Sequence, residues 1–181
     1  NEREGNLGEL FGVTRQVAGD AATVLRQSLL SSQYGEPTEG EERGEFLVRL
    51  AGAKALPSIV ELERLWYELT REMTDGGKVV KFRAAVMQRD DTKVDMDVVR
   101  VGPFTASSNG QYLGYLPSEK SLMELNGELL GEFRNIGRAL QSASGPGYAR
   151  AVVDPASGAL LGLYVERPNV IQRINEGEVV G

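Results

Sequence analysis

The chain contains neither cysteine nor histidine. Without thiols there is no disulfide framework to read and no thiolate nucleophile. Without imidazole, the Ser-His-Asp and Cys-His arrangements and the tetrahedral zinc sites built on those residues are out of reach. Most hydrolase chemistry is excluded by these two absences. No apolar run reaches the roughly 18 residues of a membrane span, and the opening Asn1-Glu2-Arg3-Glu4 has nothing of a signal peptide. Lysine and arginine are also never dense enough to make a phosphate-binding face. The 26 acidic residues outnumber the 20 basic ones, for a formal charge of −6, and the two signs are interleaved, as in Glu61-Leu62-Glu63-Arg64. Nucleic acid is therefore not an expected partner.

What remains is ordinary for a folded protein. Hydrophobic residues at 41% and charged residues at 25% of 181 positions argue against disorder and allow one domain with its own core plus an appended helix. Lacking an initial Met and ending on Val179-Val180-Gly181, the chain reads as a fragment cut at both ends.

The most informative stretch is Leu7 to Ser31, LGELFGVTRQVAGDAATVLRQSLLS. Apolar and small residues recur at three- and four-residue steps, with Glu9, Arg15, Gln16, Asp20, Arg26 and Gln27 between them, which predicts a helix about 37 Å long with one narrow apolar stripe. A stripe this rich in Ala and Gly suits close approach to another helix. Leu7, Phe11, Val17, Ala21, Val24 and Leu25 are the candidate contact residues. Their partner is either the chain's own fold or another subunit, and the gaps at Thr14 and Ser28 favour the former, since a coiled coil needs an unbroken heptad seam.

The remainder divides into an acidic linker over 34–45 and a domain over 46–181, after a stalk over 1–33. Glu, Gly and Pro dominate Gln33 to Glu45 without apolar periodicity, the pattern of a solvated loop. A short helix is expected over Phe46 to Ala55. A longer one follows Leu56-Pro57-Ser58, with Pro57 in its first turn, and Asp75-Gly76-Gly77 stops it. Ile59, Leu62, Leu65, Trp66, Leu69 and Met73 form its apolar face, with Trp66 expected in the core.

The period then changes from 3.6 to 2. Val79 to Met87 and Lys93 to Val101 read as a hairpin turned by Asp90-Asp91-Thr92. The alternation slips phase at Val98-Val99, which predicts a bulge or a stretch covered on both faces. Phe104 and Ala106 continue the second strand to the Asn109-Gly110 turn, and Gln111 to Leu116 returns. A second amphipathic helix carries Leu125, Leu129, Phe133, Ile136 and Leu140, weakened by Gly127, Gly131 and Gly137. A last hairpin is expected from Tyr148 to Val153 and Ala159 to Val165 around Asp154-Pro155, then a short helix from Pro168 to Glu176. The expected fold is α+β: a mostly antiparallel sheet of about five strands packed with helices on one face, plus a long N-terminal helix.

Residues able to carry chemistry are few. Asp90, Asp91, Asp95 and Asp97 form an acidic cluster, but acidic residues two apart on a strand mark a solvent face, and the spacing is not that of a calcium loop. Ser144-Gly145-Pro146-Gly147 lacks the Lys-Ser/Thr of a phosphate loop. No catalytic residue, metal ligand or cofactor-binding residue is assigned, and the chain is not expected to be an enzyme or to hold a cofactor.

As an ordered set, five segments go further: LGELFGVTRQVAGD (7–20), LPSIVELERLWYELTREM (56–73), VVRVGPFTASSNGQYLGYLP (98–117), DPASGALL (154–161) and ERPNVIQRINEGEVVG (166–181). Together they resemble the N-terminal periplasmic region of the extended ExbB-type subunits often called TtpC, in the MotA/TolQ/ExbB proton-channel family. The likeness covers most of the chain, and Glu36 to Glu45 has no counterpart in it. It implies a periplasmic extension of an inner-membrane protein, with the membrane-spanning helices starting just after Gly181. It also implies TonB/ExbB/ExbD-type partners, a homo-oligomer in the full-length protein, and a part in energising outer-membrane uptake of iron complexes. No proton-channel residue maps onto these positions. A free-standing periplasmic adaptor or ligand-binding module with a concave apolar pocket is the alternative. An enzyme working through carboxylates alone is a third reading, tested by changing Asp95 and Asp97 to Asn.

Overall fold

Three serines decide where the first helix stops. In the computed structural model, which describes residues 2–34, 40–88, 90–125 and 131–161, helix α1 spans Glu2–Leu25. It does not reach Ser31. Ser31 Oγ donates to the Leu25 carbonyl at 2.8 Å, Ser32 Oγ donates to the Leu29 carbonyl at 2.7 Å, and Ser28 Oγ accepts from the Leu30 amide at 3.2 Å. Side chains that satisfy backbone groups locally offer the chain an alternative to further helix. The path bends here and re-enters a single turn, α2 (Ser31–Tyr34).

Helix α3 (Arg43–Ala51) starts inside the stretch read as linker, because Glu42 caps it by accepting from the Glu45 amide. Helix α4 (Ile59–Gly76) starts two residues after Pro57, so the proline precedes the N-cap instead of sitting in the first turn. Ser58 and Glu61 form a reciprocal capping box there. Ala18, Ala21, Ala22 and Leu25 of α1 pack with Phe46, Leu47 and Leu50 of α3 and Leu65 of α4 into one buried cluster. The small α1 side chains bring the helix axes close, as the Ala-rich stripe requires.

The strands are β1 (Val79–Met87), β2 (Lys93–Val101), β3 (Thr105–Ser108), β4 (Gln111–Leu116) and β5 (Ser121–Glu124). They close into a barrel in the order β1-β2-β3-β4-β5. Consecutive strands pair antiparallel, and β5 pairs parallel with β1 through Val86–Leu122 and Met87–Met123. The parallel closure follows from parity: in an up-and-down meander directions alternate, so the first and fifth strands run the same way.

The expected sheet is corrected in three respects. Gly102, at φ 56°, and Pro103 break the long second strand into β2 and β3. β5 supplies the fifth strand in a stretch where none was expected. The first strand of the last hairpin does not form: residues 148–154 have no regular structure, although the Asp154 turn forms, its carboxylate accepting from the amides of Ala156 and Leu161, both at 2.8 Å. A closed barrel has no free edge for further strands to extend. The short helix from Pro168 to Glu176, the second half of that hairpin beyond Leu161, and the start of the second amphipathic helix at 126–130 lie outside the described residues. Helix α5 (Gly131–Ser142) is the described part of the latter.

Inside the barrel, Phe82, Ala84, Val86, Met96, Val98, Ala106, Leu113, Tyr115 and Leu122 share one core, and Leu29 from the α1–α2 bend enters it fully buried. The phase slip at Val98-Val99 is not a bulge, since β1 and β2 keep one register from Val79–Val101 to Met87–Lys93. Val98 faces the barrel interior. Val99 points outward and is still buried, on the side where Gln141 of α5 donates to the Asp97 carbonyl at 3.2 Å.

Candidate interaction surfaces

The six α1 residues singled out from the sequence divide between two environments. Ala21 and Leu25 are buried and Val17 packs against the same helical core. Val24 points to solvent, and Leu7 is half exposed, at 49%. Phe11 is half-buried, its ring 5.5 Å from the Arg15 guanidinium carbon. The division follows the length of α3. Its last residue, Ala51, accepts from Arg15 Nε at 3.0 Å and faces Gly19. N-terminal to that level, Leu7, Leu10 and Val13 lie on the surface and Gly8 and Gly12 have no neighbour within 4 Å of a built Cβ. From Leu7 to Val13 the seam continues for about 10 Å past its own packing partner, at 1.5 Å per residue.

A second apolar surface was not expected. Trp66 does not anchor the core: it is 69% exposed, and Ile59, Val60, Tyr67 and Met73 are exposed with it. Leu65 is buried and Leu69 packs against the helical core. The sequence signal was present, because apolar residues cover more of α4 than the single stripe one core can bury. Ile59, Trp66 and Met73 stand seven residues apart on a line distinct from Leu62, Leu65 and Leu69.

Between the helices and the barrel lies a polar layer that pattern reading also missed. Arg100, on β2, is fully buried and donates to Gln33 Oε1 at 2.7 Å, the Gly102 carbonyl at 2.8 Å and the Asp75 carbonyl at 3.2 Å. Desolvation depresses its pKa from the ordinary guanidinium value. Its phase gave the clue: it lies two and four residues beyond Val98 and Met96, both inward. Nearby, Glu72 accepts from Arg43 Nη2 and Ser28 Oγ, both at 2.5 Å, and Arg71 pairs with Glu68 at 2.6 Å. The Tyr34 ring lies 4.0 Å from the Arg71 guanidinium carbon, and its hydroxyl donates to Asp75. Burial first, then the Asp75 hydrogen bond, pushes the Tyr34 pKa up to about 12. Arg43, Arg64 and Arg71 line a cavity of about 210 Å³ here together with Glu41, Glu42 and Glu68. With carboxylates facing the guanidiniums, this network ties α2, α3 and α4 together, and Arg100 joins it to the barrel.

The acidic strand residues do not converge. Asp90 turns back onto Thr92, whose hydroxyl and amide hold its carboxyl below the usual range. Asp95 and Asp97 are exposed on the outer face of β2, with Asp97 3.9 Å from Arg83. Among the described residues no group of three or more His, Cys, Asp or Glu side chains is placed to hold a metal ion, and no helix is long and apolar enough to cross a membrane. Residues 144–147 form an irregular connection, with Gly145 at φ 79°. No family model matches the chain, and no curated protein or solved structure matches it.

Proposed function

We propose that this chain is a protein-interaction domain that acts through the free N-terminal end of α1. Following its resemblance to extended ExbB-type subunits, we take it to be the periplasmic extension of an inner-membrane subunit of a TonB system. In that role it positions or recognises periplasmic partners, TonB/ExbB/ExbD-type components among them, while the proton-motive force drives outer-membrane uptake of iron complexes. The observation that supports the reading is the overhang itself. Leu7, Leu10 and Val13 are surface residues of a helix that runs past its own packing layer, and helices with an apolar stripe dock in apolar grooves or pair with other helices.

The test is coupling in cells. Leu7→Glu with Leu10→Glu in the parent protein leaves membrane levels unchanged and abolishes growth on a TonB-dependent iron source, and a photoreactive group at Leu10 captures a component of the same machine. Wild-type growth of the double variant, or no adduct with any such component, overturns the assignment.

The alternative, a free-standing periplasmic adaptor or ligand-binding module, has one observation in its favour. A groove of about 660 Å³ runs between α5 and residues 148–150, lined in part by Ile136, Ala139, Ala143 and Tyr148. Ligand-induced protection of the Tyr148 region from hydrogen exchange would support that reading.

A further inference from the structure

We propose that the outer face of α4 is a two-fold interface between two copies of this chain, centred on Trp66. Seven α4 residues are exposed, at positions 59, 60, 63, 66, 67, 73 and 74, and only Glu63 among them is charged. Elsewhere a chain of formal charge −6 repels its own copies. This face is where two copies meet without burying a row of charges.

The spacing is self-complementary, as an isologous contact requires. Ile59 and Met73 lie seven residues on either side of Trp66. Turning one helix end for end about Trp66 sets Ile59 of one copy against Met73 of the other and the two indoles against each other. The two Glu63 carboxylates then stand about 9 Å apart along the axis, each level with Leu69 of the other copy, so like charges are not opposed. Area agrees with the geometry. Ile59 at 75%, Trp66 at 69% and Met73 at 72% exposed, together with Val60 and Tyr67, offer on the order of 700 Å² per copy, close to the ~800 Å² per partner of a standard specific interface. A patch of this size exceeds the few hundred Å² usual on a monomer.

The inference is independent of the partner assigned to α1. It is tested on the whole 181-residue chain by sedimentation equilibrium from about 1 to about 200 µM, with fluorescence of Trp66, the sole tryptophan. The expected result is a mass that doubles with concentration and rises with salt, a blue shift of the emission in step with it, and reduced acrylamide quenching. Met73→Glu, which keeps the reporter, stays monomeric with red-shifted emission and an unchanged circular dichroism spectrum. Leu10→Glu dimerises like wild type. Monomers throughout the concentration range, a dimer that survives Met73→Glu, or a dimer lost only in Leu10→Glu overturns the proposal. The cellular coupling test on Leu7 and Leu10 reads the α1 assignment separately.

Discussion

A Cβ built on Gly137 stands 3.0 Å from the Cα of Gly110, so α5 rests on the β3–β4 turn with no room for a side chain on its own side of the contact. The turn is pinned in return. The Asn109 amide donates to Gln141 Oε1 at 2.6 Å, and Tyr112 Oη donates to the Phe133 carbonyl at 3.1 Å. Burial under this helix pushes the Tyr112 pKa up to about 12.

The two glycines are not equivalent. Gly110 has φ 80° and a built Cβ 2.5 Å from the Arg134 carbonyl oxygen, so alanine there meets both backbone strain and a clash. Gly110→Ala is expected to cost about 3 kcal/mol. At Gly137 the crowding is offset by the roughly 1 kcal/mol that alanine returns to a helix, leaving a loss of about 1 kcal/mol. Urea denaturation of both variants checks the order, and a Gly110→Ala protein as stable as wild type would contradict the contact.

Arg100 holds the barrel to the helical layer through Gln33 Oε1 and the carbonyls of Asp75 and Gly102. Replacing it with methionine keeps the volume and strands Gln33 Oε1 and the Gly102 carbonyl, while the Asp75 carbonyl keeps the Lys78 amide at 3.1 Å. Each buried unsatisfied acceptor costs about 1–3 kcal/mol, partly relieved by water, so a loss of about 3 kcal/mol is expected. Lysine recovers little of it, because a single ammonium cannot span acceptors that the planar fork reaches at once. Thermal unfolding of Arg100→Met and Arg100→Lys reads both effects, and full rescue by lysine would mean the charge alone matters.

Leu29 is the apolar half of the same coupling. It belongs to the bend after α1, yet its side chain is fully buried in the barrel core. Leu29→Ala is expected to cost about 2–5 kcal/mol. The loss should appear in hydrogen exchange as faster opening of both the α1–α2 bend and the barrel strands. Protection lost from the bend alone would show that the side chain is not needed inside the barrel.

Local signals carried the elements, and long-range closure decided their arrangement. The existence of α1 and α4 and the β1–β2 hairpin follow from periodicity and turn chemistry over a few residues, whereas the ends of α1, read as Leu7 and Ser31 and found at Glu2 and Leu25, do not. The closing strand β5 has four residues, too short for alternation to register, and its pairing with β1 reaches 36 residues back from Leu122 to Val86. Once that pair forms, no edge is left for residues 148–153 to join. Trp66 shows the same limit: its apolar neighbours fit one stripe on a wheel, but only the positions of α1 and α3 determine which half of that stripe is covered. Of the candidate surface, the overhang of α1 was readable from its length, whereas the α4 face required the packing.

The two ends of α4 are expected to titrate at opposite ends of the pH scale. At the N-terminus, hydrogen bonds from Arg49 first and Ser58 second lower the Glu61 pKa from 4.5 to about 2. A depressed carboxylate stabilises the fold above its unfolded pKa, and that contribution is lost as pH falls from about 4.5 to about 2. Glu61→Gln retains the amide's reach to the cap while removing the charge. It should therefore be less stable than wild type at neutral pH, with the difference vanishing near pH 2. Near the C-terminus, Tyr34 bound to Asp75 has its pKa raised from 10.0 to about 12. A raised pKa stabilises the fold below the unfolded value, and here that contribution is lost between about pH 10 and 12. Tyr34→Phe should make this alkaline limb shallower without abolishing it, because Tyr112, also raised to about 12, titrates in the same window, and it should leave the acid limb alone. Stability measured by urea across both windows separates the two groups, and an acid limb unchanged in Glu61→Gln would show that the Arg49 pair is not formed in solution.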